Sequence, residues 1–253
     1  MKSLALTLLL LNFAAAATNA IADEESDYYR IETIVTSKAP TQSRSKFWKP
    51  APKGLALEVS GIAVLDNKRL AVAIRKGEIW LLGNVYGEEA PVTYKRFASA
   101  LHEPLGLLYH KKSLFTVQRS ELTQIKDTDG DGVADEYLTV AKGWGTTGNY
   151  HEYAYGPKLD GNGDMWLTLN IGMGLKADHR ARVITDPTLG FSQGRWRGWG
   201  MKVNSKSELI PMCAGMRSPS GIGANRAGDM FYTDQQGNWV GTNSLHHMRK
   251  GAF

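Results

Sequence analysis

Between Asp127 and Glu136 the chain sets carboxylates at alternate positions, Asp127, Asp129 and Asp131, with Gly130 and Gly132 among them and Asp135 just behind. Such spacing suits a hard cation. Ca²⁺ takes roughly six to eight oxygen ligands at about 2.3–2.6 Å, and a short acidic loop that glycine lets turn sharply supplies most of them. Asp127, Asp129, Asp131 and Asp135 are therefore the candidate metal ligands, for an ion whose role is structural rather than catalytic. A helix–loop–helix calcium hand would carry a bidentate Glu where this chain has Leu138. The competing reading is an acidic, glycine-rich turn that binds nothing, although close unpaired carboxylates repel one another.

The segments that present this loop are not helical. Residues 122–126 and 137–140 alternate polar and apolar side chains with β-branched residues among them, the period of half-buried strands. The loop is thus expected at the tip of a β-hairpin, and the hairpin belongs to a pattern that recurs. Ser60-Gly61-Ile62 opens an apolar run that turns at Asp66-Asn67-Lys68, returns from Leu70 to Ile74, and turns again at Lys76-Gly77 into Glu78 to Leu82. Leu105-Gly106-Leu107, Tyr155-Gly156-Pro157 and Ser220-Gly221-Ile222 open three further copies, with turns at Lys111-Lys112, Asp160 to Gly163 and Asn225 to Gly228. Strand, tight turn, strand, polar turn, strand, at a spacing of roughly 45 to 65 residues, is the signature of propeller blades with loop insertions. The expected fold is all-β, a β-propeller of about six blades when complete, with about four present and residues 53–253 forming an incomplete ring.

The N-terminus carries the features of a secretory signal over residues 1–22: Lys2, an apolar stretch from Leu4 to Ala17, and Ala20-Ile21-Ala22 before the cleavage point. No later stretch has the length of apolar residues that would span a membrane. The mature chain is expected to begin near Asp23 and to be secreted or periplasmic. Residues 23–52 hold an isolated strand at 28–36 and a linker rich in Ser, Lys and Pro. The chain is expected to be a C-terminally truncated piece of a longer protein, since no closing strand follows the fourth copy.

Composition removes other classes. Cys213 is the only cysteine, so the fold has no internal disulfide and this chain has no Cys-x-x-Cys-His haem attachment. The formal net charge of +5 comes without a dense Lys/Arg run, and no nucleic-acid partner is expected. Arg195-Trp196-Arg197-Gly198-Trp199 mixes basic and aromatic side chains, and is expected to be a strand whose tryptophans pack inward rather than a base-stacking platform. His246 and His247 are adjacent in a strand and so point to opposite faces; at most one can serve a given site. Cys213, beside Met212, is expected in the core.

Two further motifs carry a family resemblance. Asn149-Tyr150-His151, followed by Tyr155-Gly156-Pro157, Asp160-Gly161-Asn162-Gly163 and Met165-Trp166-Leu167-Thr168, resembles the histidine-bearing blade of the quinoprotein glucose/sorbosone dehydrogenases. Ala214-Gly215-Met216-Arg217-Ser218-Pro219-Ser220-Gly221 resembles that family's Gly-x-Arg-Asn-Pro-x-Gly blade opening. As a whole, from Tyr28 onward, the chain is similar to secreted bacterial propeller domains of the membrane-bound-dehydrogenase-like group. In these the acidic loop and a segment like Gln235-Gln236-Gly237-Asn238-Trp239 occur together, often joined to a C-terminal c-type haem module.

The resemblance implies roles. His151 matches the general base that takes a sugar hydroxyl proton, a task suited to imidazole near neutral pH. Arg217 matches the cation that pairs with pyrroloquinoline quinone, whose carboxylates a planar guanidinium grips two bonds at a time. Gln236, Gly237 and Asn238 fall where the family offers backbone oxygens to a quinone-polarising Ca²⁺, separate from any ion at Asp127 to Asp135. Three positions depart from the family pattern: Tyr150 replaces an Asp before the base, Asn170 replaces the carboxylate that orients it, and Ser218 replaces the Asn after the arginine. The expected activity is oxidation of an aldose or polyol, with electrons passed to a haem module or cytochrome. The alternatives are a non-enzymatic propeller that binds a glycan or another exported protein, and a calcium-dependent lactonase-type hydrolase.

Overall fold

The computed structural model describes residues 28, 29, 31, 58–66, 68–87, 90–146, 151–172, 195–236 and 241–253. The chain divides into two compact units, Met1–Thr33 and Ile34–Phe253. In the first, Tyr28, Tyr29 and Ile31 are described; all three are exposed and none lies in a strand. The expected signal over 1–22, the remainder of the 28–36 segment and the linker up to residue 52 lie outside the described residues. Among the described residues no helix is long and apolar enough to cross a membrane.

Every described strand belongs to the second unit. β1 (Val59–Val64), β2 (Leu70–Ile74), β3 (Glu78–Gly83) and β4 (Thr93–Ala98) form one antiparallel sheet in sequence order. A second holds β5 (Leu108–His110), β6 (Ser113–Val117), β7 (Glu121–Lys126) and β8 (Glu136–Lys142). A third holds β9 (Ala154–Leu159), β10 (Met165–Leu169), β11 (Trp199–Val203) and β12 (Leu209–Ala214). The fourth has β13 (Gly221–Ala224), β14 (Met230–Asp234) and β15 (Ser244–His247). The sheets are arranged radially as blades, the all-β propeller that the repeat predicts.

The core lies between blades rather than within one. Leu114 and Ile125 of the second blade join Ala71, Ala73, Ile79 and Leu81 of the first. Their strand neighbours Phe115 and Leu122 join Leu167, Leu169, Met201 and Val203 of the third. Successive side chains point to opposite faces of a sheet, so each middle strand feeds two cores. That is why β2, β3 and β6 are apolar runs with little alternation. Between the third and fourth blades Trp166 and Cys213 pack with Met230, Tyr232 and Met248. Cys213 is thus a core residue, and burial pushes its thiol up to about 11.

The innermost strands β1, β5, β9 and β13 stand side by side, and glycine lets the first three do so. A Cβ on Gly61 would lie 2.5 Å from the carbonyl carbon of Gly106. A Cβ on Gly106, whose φ is 121°, would collide with the carbonyl oxygen of Gly156. The Gly156 amide donates to the Leu105 carbonyl at 3.0 Å, and the Thr168 hydroxyl to the Pro219 carbonyl at 2.7 Å. These bonds join the second blade to the third and the third to the fourth.

Sheet direction sorts the connections into two ends. The segments that enter β5, β9 and β13 share one end with the β2–β3, β6–β7, β10–β11 and β14–β15 connections. The β7–β8 loop and the first hairpin turn of each blade share the other. One expected strand differs. Arg195 to Gly198 form a turn, with Trp196 at φ 64°, and β11 starts at Trp199. The two tryptophans meet edge to face at 5.2 Å, a contact that the turn makes possible and a continuous strand, with residues three apart on opposite faces, would not.

Gly106→Ala is expected to lower stability by about 3 kcal/mol or more, because it adds a left-handed penalty to a backbone collision. Gly163→Ala, also at positive φ but facing open space, is expected to lose only about 1–2 kcal/mol. Urea melts of both variants measure the difference.

Candidate functional site

The acidic loop joins β7 to β8, which pair in antiparallel register as the flanking alternation predicts. Its carboxylates are folded back on their own backbone. Asp127 accepts from the amides of Gly130 at 2.7 Å and Gly132 at 2.8 Å, and Asp129 from that of Asp131 at 3.1 Å. Asp135 accepts from the Thr128 hydroxyl at 2.6 Å and its amide at 3.0 Å, and the hydroxyl above all holds this carboxyl below its ordinary range. Asp127, Asp129 and Asp135 each offer an oxygen within 4.8 Å of the others. Asp131 stands outside that group. Its carboxylate accepts from the Val133 amide at 2.7 Å, and its carbonyl accepts from Lys95 Nζ.

His151 and Arg217 lie at the other end of the sheets, in the segments that enter β9 and β13. Asn170, at the end of β10, ties these segments together. Its Nδ2 donates to the His151 carbonyl at 2.8 Å and to Ser218 Oγ at 2.9 Å. The side chain at this position therefore engages the His151 main chain, not its ring. Asn170 is only 4% exposed, and its Oδ1 has no partner among the described residues. Asp234, at the end of β14, accepts from the amides of Arg217 at 2.8 Å, Ser218 at 2.6 Å and Gln235 at 2.8 Å. The Arg217 guanidinium donates to the Gln236 carbonyl, and the Gln236 amide to Asn243 Oδ1 at 2.8 Å. Tyr150, Gly237 and Asn238 lie outside the described residues.

A cleft of about 260 Å³ opens here, lined by Tyr155, Ser218, Ser220, Thr233, Asp234 and Asn243. Its walls are hydroxyls, amides and one carboxylate already satisfied by three backbone donors. The rings of His151, Tyr153 and Tyr155 follow one another at centroid distances of 6.5 and 6.1 Å. Burial pushes the Tyr155 hydroxyl up from its ordinary value, so it is a neutral donor at physiological pH.

Arg197 anchors the face from below, a role that its sequence context did not reveal. It is 2% exposed and donates to three carbonyls: Gly145 at 2.6 Å, Tyr153 at 2.8 Å and Arg119 at 3.3 Å. Burial lowers its guanidinium to about 10, against the attraction of fully buried Glu152. Asp234 was missed as well, and a signal existed. A polar residue follows the apolar run of the second strand in three blades, Gln118, Asn170 and Asp234, and each pins the entry segment of its own blade. His246 and His247 do turn to opposite faces, where they stack on Tyr232 at 5.0 Å and Phe231 at 4.8 Å.

Fold and face together define a β-propeller with a polar cleft where its inner strands begin. Residues 92–251 match the family described as "Domain of unknown function (DUF7133)", and the chain belongs to that family. No curated protein matches the sequence. Among solved structures, the PQQ-bound aldose sugar dehydrogenase of Streptomyces coelicolor aligns over 78% of this chain and 61% of its own, with TM-score 0.56 and 12% identity. A glucose dehydrogenase-type oxidoreductase of Thermus thermophilus aligns over 77% and 63%, with TM-score 0.55 and 14% identity. The PQQ domain of Coprinopsis cinerea pyranose dehydrogenase aligns over 75% and 47%, with TM-score 0.51 and 13% identity. The likeness is one of fold, and the chain spans between 47% and 63% of the length of these proteins.

Arg197→Met is expected to lower stability by about 3–5 kcal/mol, since it removes a buried cation that attracts Glu152 and frees three carbonyls. Arg197→Lys, which keeps the charge but not the fork, should recover only part of that loss. Denaturant midpoints of the two variants check both statements.

Proposed function

We propose that this propeller oxidises an aldose or related polyol in the manner of the quinoprotein sugar dehydrogenases, and that electrons pass on to a haem module or cytochrome. The observation that carries the reading is Asn170, whose amide joins the segment bearing His151 to the segment bearing Arg217 beside one polar cleft. The donor set there fits an anionic, oxygen-rich ligand such as pyrroloquinoline quinone. Arg217 is exposed with one nitrogen engaged, Ser218 and Asn243 add neutral polar groups, and the buried Asn170 Oδ1 is open to a donor. Arg217 and Gln236, with Gly237 and Asn238, would hold the group and the Ca²⁺ beside it. When bound, the quinone supplies a two-electron acceptor for the alcohol. A ring nitrogen of His151 takes the hydroxyl proton, and Tyr153 and Tyr155 line the approach.

Asp127, Asp129 and Asp135 would hold a second Ca²⁺ at the far end of the sheets, where it relieves carboxylate repulsion and stiffens the β7–β8 hairpin. Secretion or export to the periplasm suits both ions. One observation favours a second reading. With Asn170 turned to the backbone, no carboxylate at that position stabilises an imidazolium, which suits a non-enzymatic propeller that binds a glycan or protein through the same loops.

Titration of pyrroloquinoline quinone, followed by tryptophan fluorescence with calcium present, tests the proposal. Saturable binding is expected, weakened about tenfold or more by Arg217→Ala, while His151→Ala still binds quinone but oxidises sugar about 10²–10⁴-fold more slowly. Absence of binding by folded protein would sink the dehydrogenase reading and leave the binding propeller. Separately, calcium should raise the Tm of the wild type and not that of Asp127→Asn/Asp129→Asn.

A further inference from the structure

In the second, third and fourth blades the polar residue after the second strand turns onto its own blade, as Gln118, Asn170 and Asp234 do. The first blade holds Arg75 there, and Arg75 reaches away. Its guanidinium carbon lies 5.7 Å from the centroid of the Tyr153 ring in the third blade, and that of Arg119 lies 5.7 Å from the same ring. Glu103 stands between the two cations. It makes a 2.6 Å bond to Arg119 Nη1 but only a 3.4 Å contact with Arg75 Nε. Glu58 also attracts Arg75, but Glu103 is the carboxylate that contacts its guanidinium. Arg119 takes the short bond and is buried, whereas the Arg75 side chain is 49% exposed. The two terminal nitrogens of Arg75 have no hydrogen-bond partner among the described residues.

An arginine stacked on an aromatic ring is pre-organised and weakly hydrated, and its open fork matches a carboxylate. The ring that holds this one meets the His151 ring edge to face. We propose that Arg75 takes the carboxylate of the substrate, which makes the substrate class the anionic sugars, the sugar acids, rather than neutral aldoses. The inference rests on reading this face as the sugar-oxidising one. With Arg217 assigned to the cofactor, the two guanidiniums divide the site between two anions.

The test compares D-glucuronate with D-glucose by calorimetric titration into wild type, Arg75→Met and Arg75→Gln, each first shown to be folded by a urea melt, with a quinone titration of the same samples. The wild type is expected to bind glucuronate at least about tenfold more tightly than glucose. That preference should vanish in both variants and shrink in the wild type as salt is raised. Equal affinity of the wild type for the two sugars, or a preference that survives in the variants, overturns the proposal. So does a loss of quinone affinity in the variants with glucuronate binding unchanged, which would assign Arg75 to the cofactor. Quinone binding without glucuronate preference removes the Arg75 assignment alone, whereas glucuronate preference without quinone binding upholds Arg75 and removes the quinone reading.

Discussion

The close approach of the inner strands is the constraint on which the rest depends. Gly61, Gly106 and Gly156 leave no room for a Cβ, so the entry segments of three consecutive blades lie backbone against backbone. Once they do, a single polar side chain can span two blades. Asn170 bridges the third to the fourth, and Arg197 gathers carbonyls from the segments around Arg119, Gly145 and Tyr153. A site built from four loops thereby acquires the rigidity of a strand. Loops placed by a rigid frame are where binding and catalytic residues concentrate.

The two ends of the blades are chemically different for a reason visible in their turns. At the far end the first hairpin turns are tight, and the β7–β8 loop satisfies its carboxylates with its own amides. The same loop also bonds the first blade, through Lys95 and the Phe97 carbonyl. At the entry end arginines sit among tyrosines and a histidine. Arg75, Arg119, Arg197 and Arg217 all lie there, with Glu103, Glu152 and Asp234 as their nearest counter-charges or companions. Exposed Arg75 and buried Arg119 contact the Tyr153 ring, and Arg197 holds the frame.

Much of the fold was legible because blades repeat. The glycine that opens each copy, the apolar run after it and the tight turn between them follow directly from inner-strand crowding and two-sided burial. The outer strands β4 and β12 were harder to read, since β4 alternates as an edge strand does and β12 includes Pro211. The turn at Trp196 hid in a run of aromatic and basic residues that has no periodicity. At the site, the family resemblance singled out His151 and Arg217, and both lie in segments at one end of the blades. Arg75, Tyr153 and Arg197 were illegible for a physical reason: each works through residues distant in sequence, more than 40 positions away in the case of the Arg197 bonds to Gly145 and Tyr153. Only the packing of the blades brings such partners together.

The central claim is that His151 and Arg217 serve one redox site. Anaerobic addition of sugar to the quinone-loaded protein, followed by absorption spectroscopy, tests it most directly. The account predicts loss of the oxidised quinone spectrum on mixing in the wild type, and a rate reduced by orders of magnitude in His151→Ala at unchanged quinone occupancy. A bound quinone whose spectrum no neutral or acidic sugar alters would contradict it.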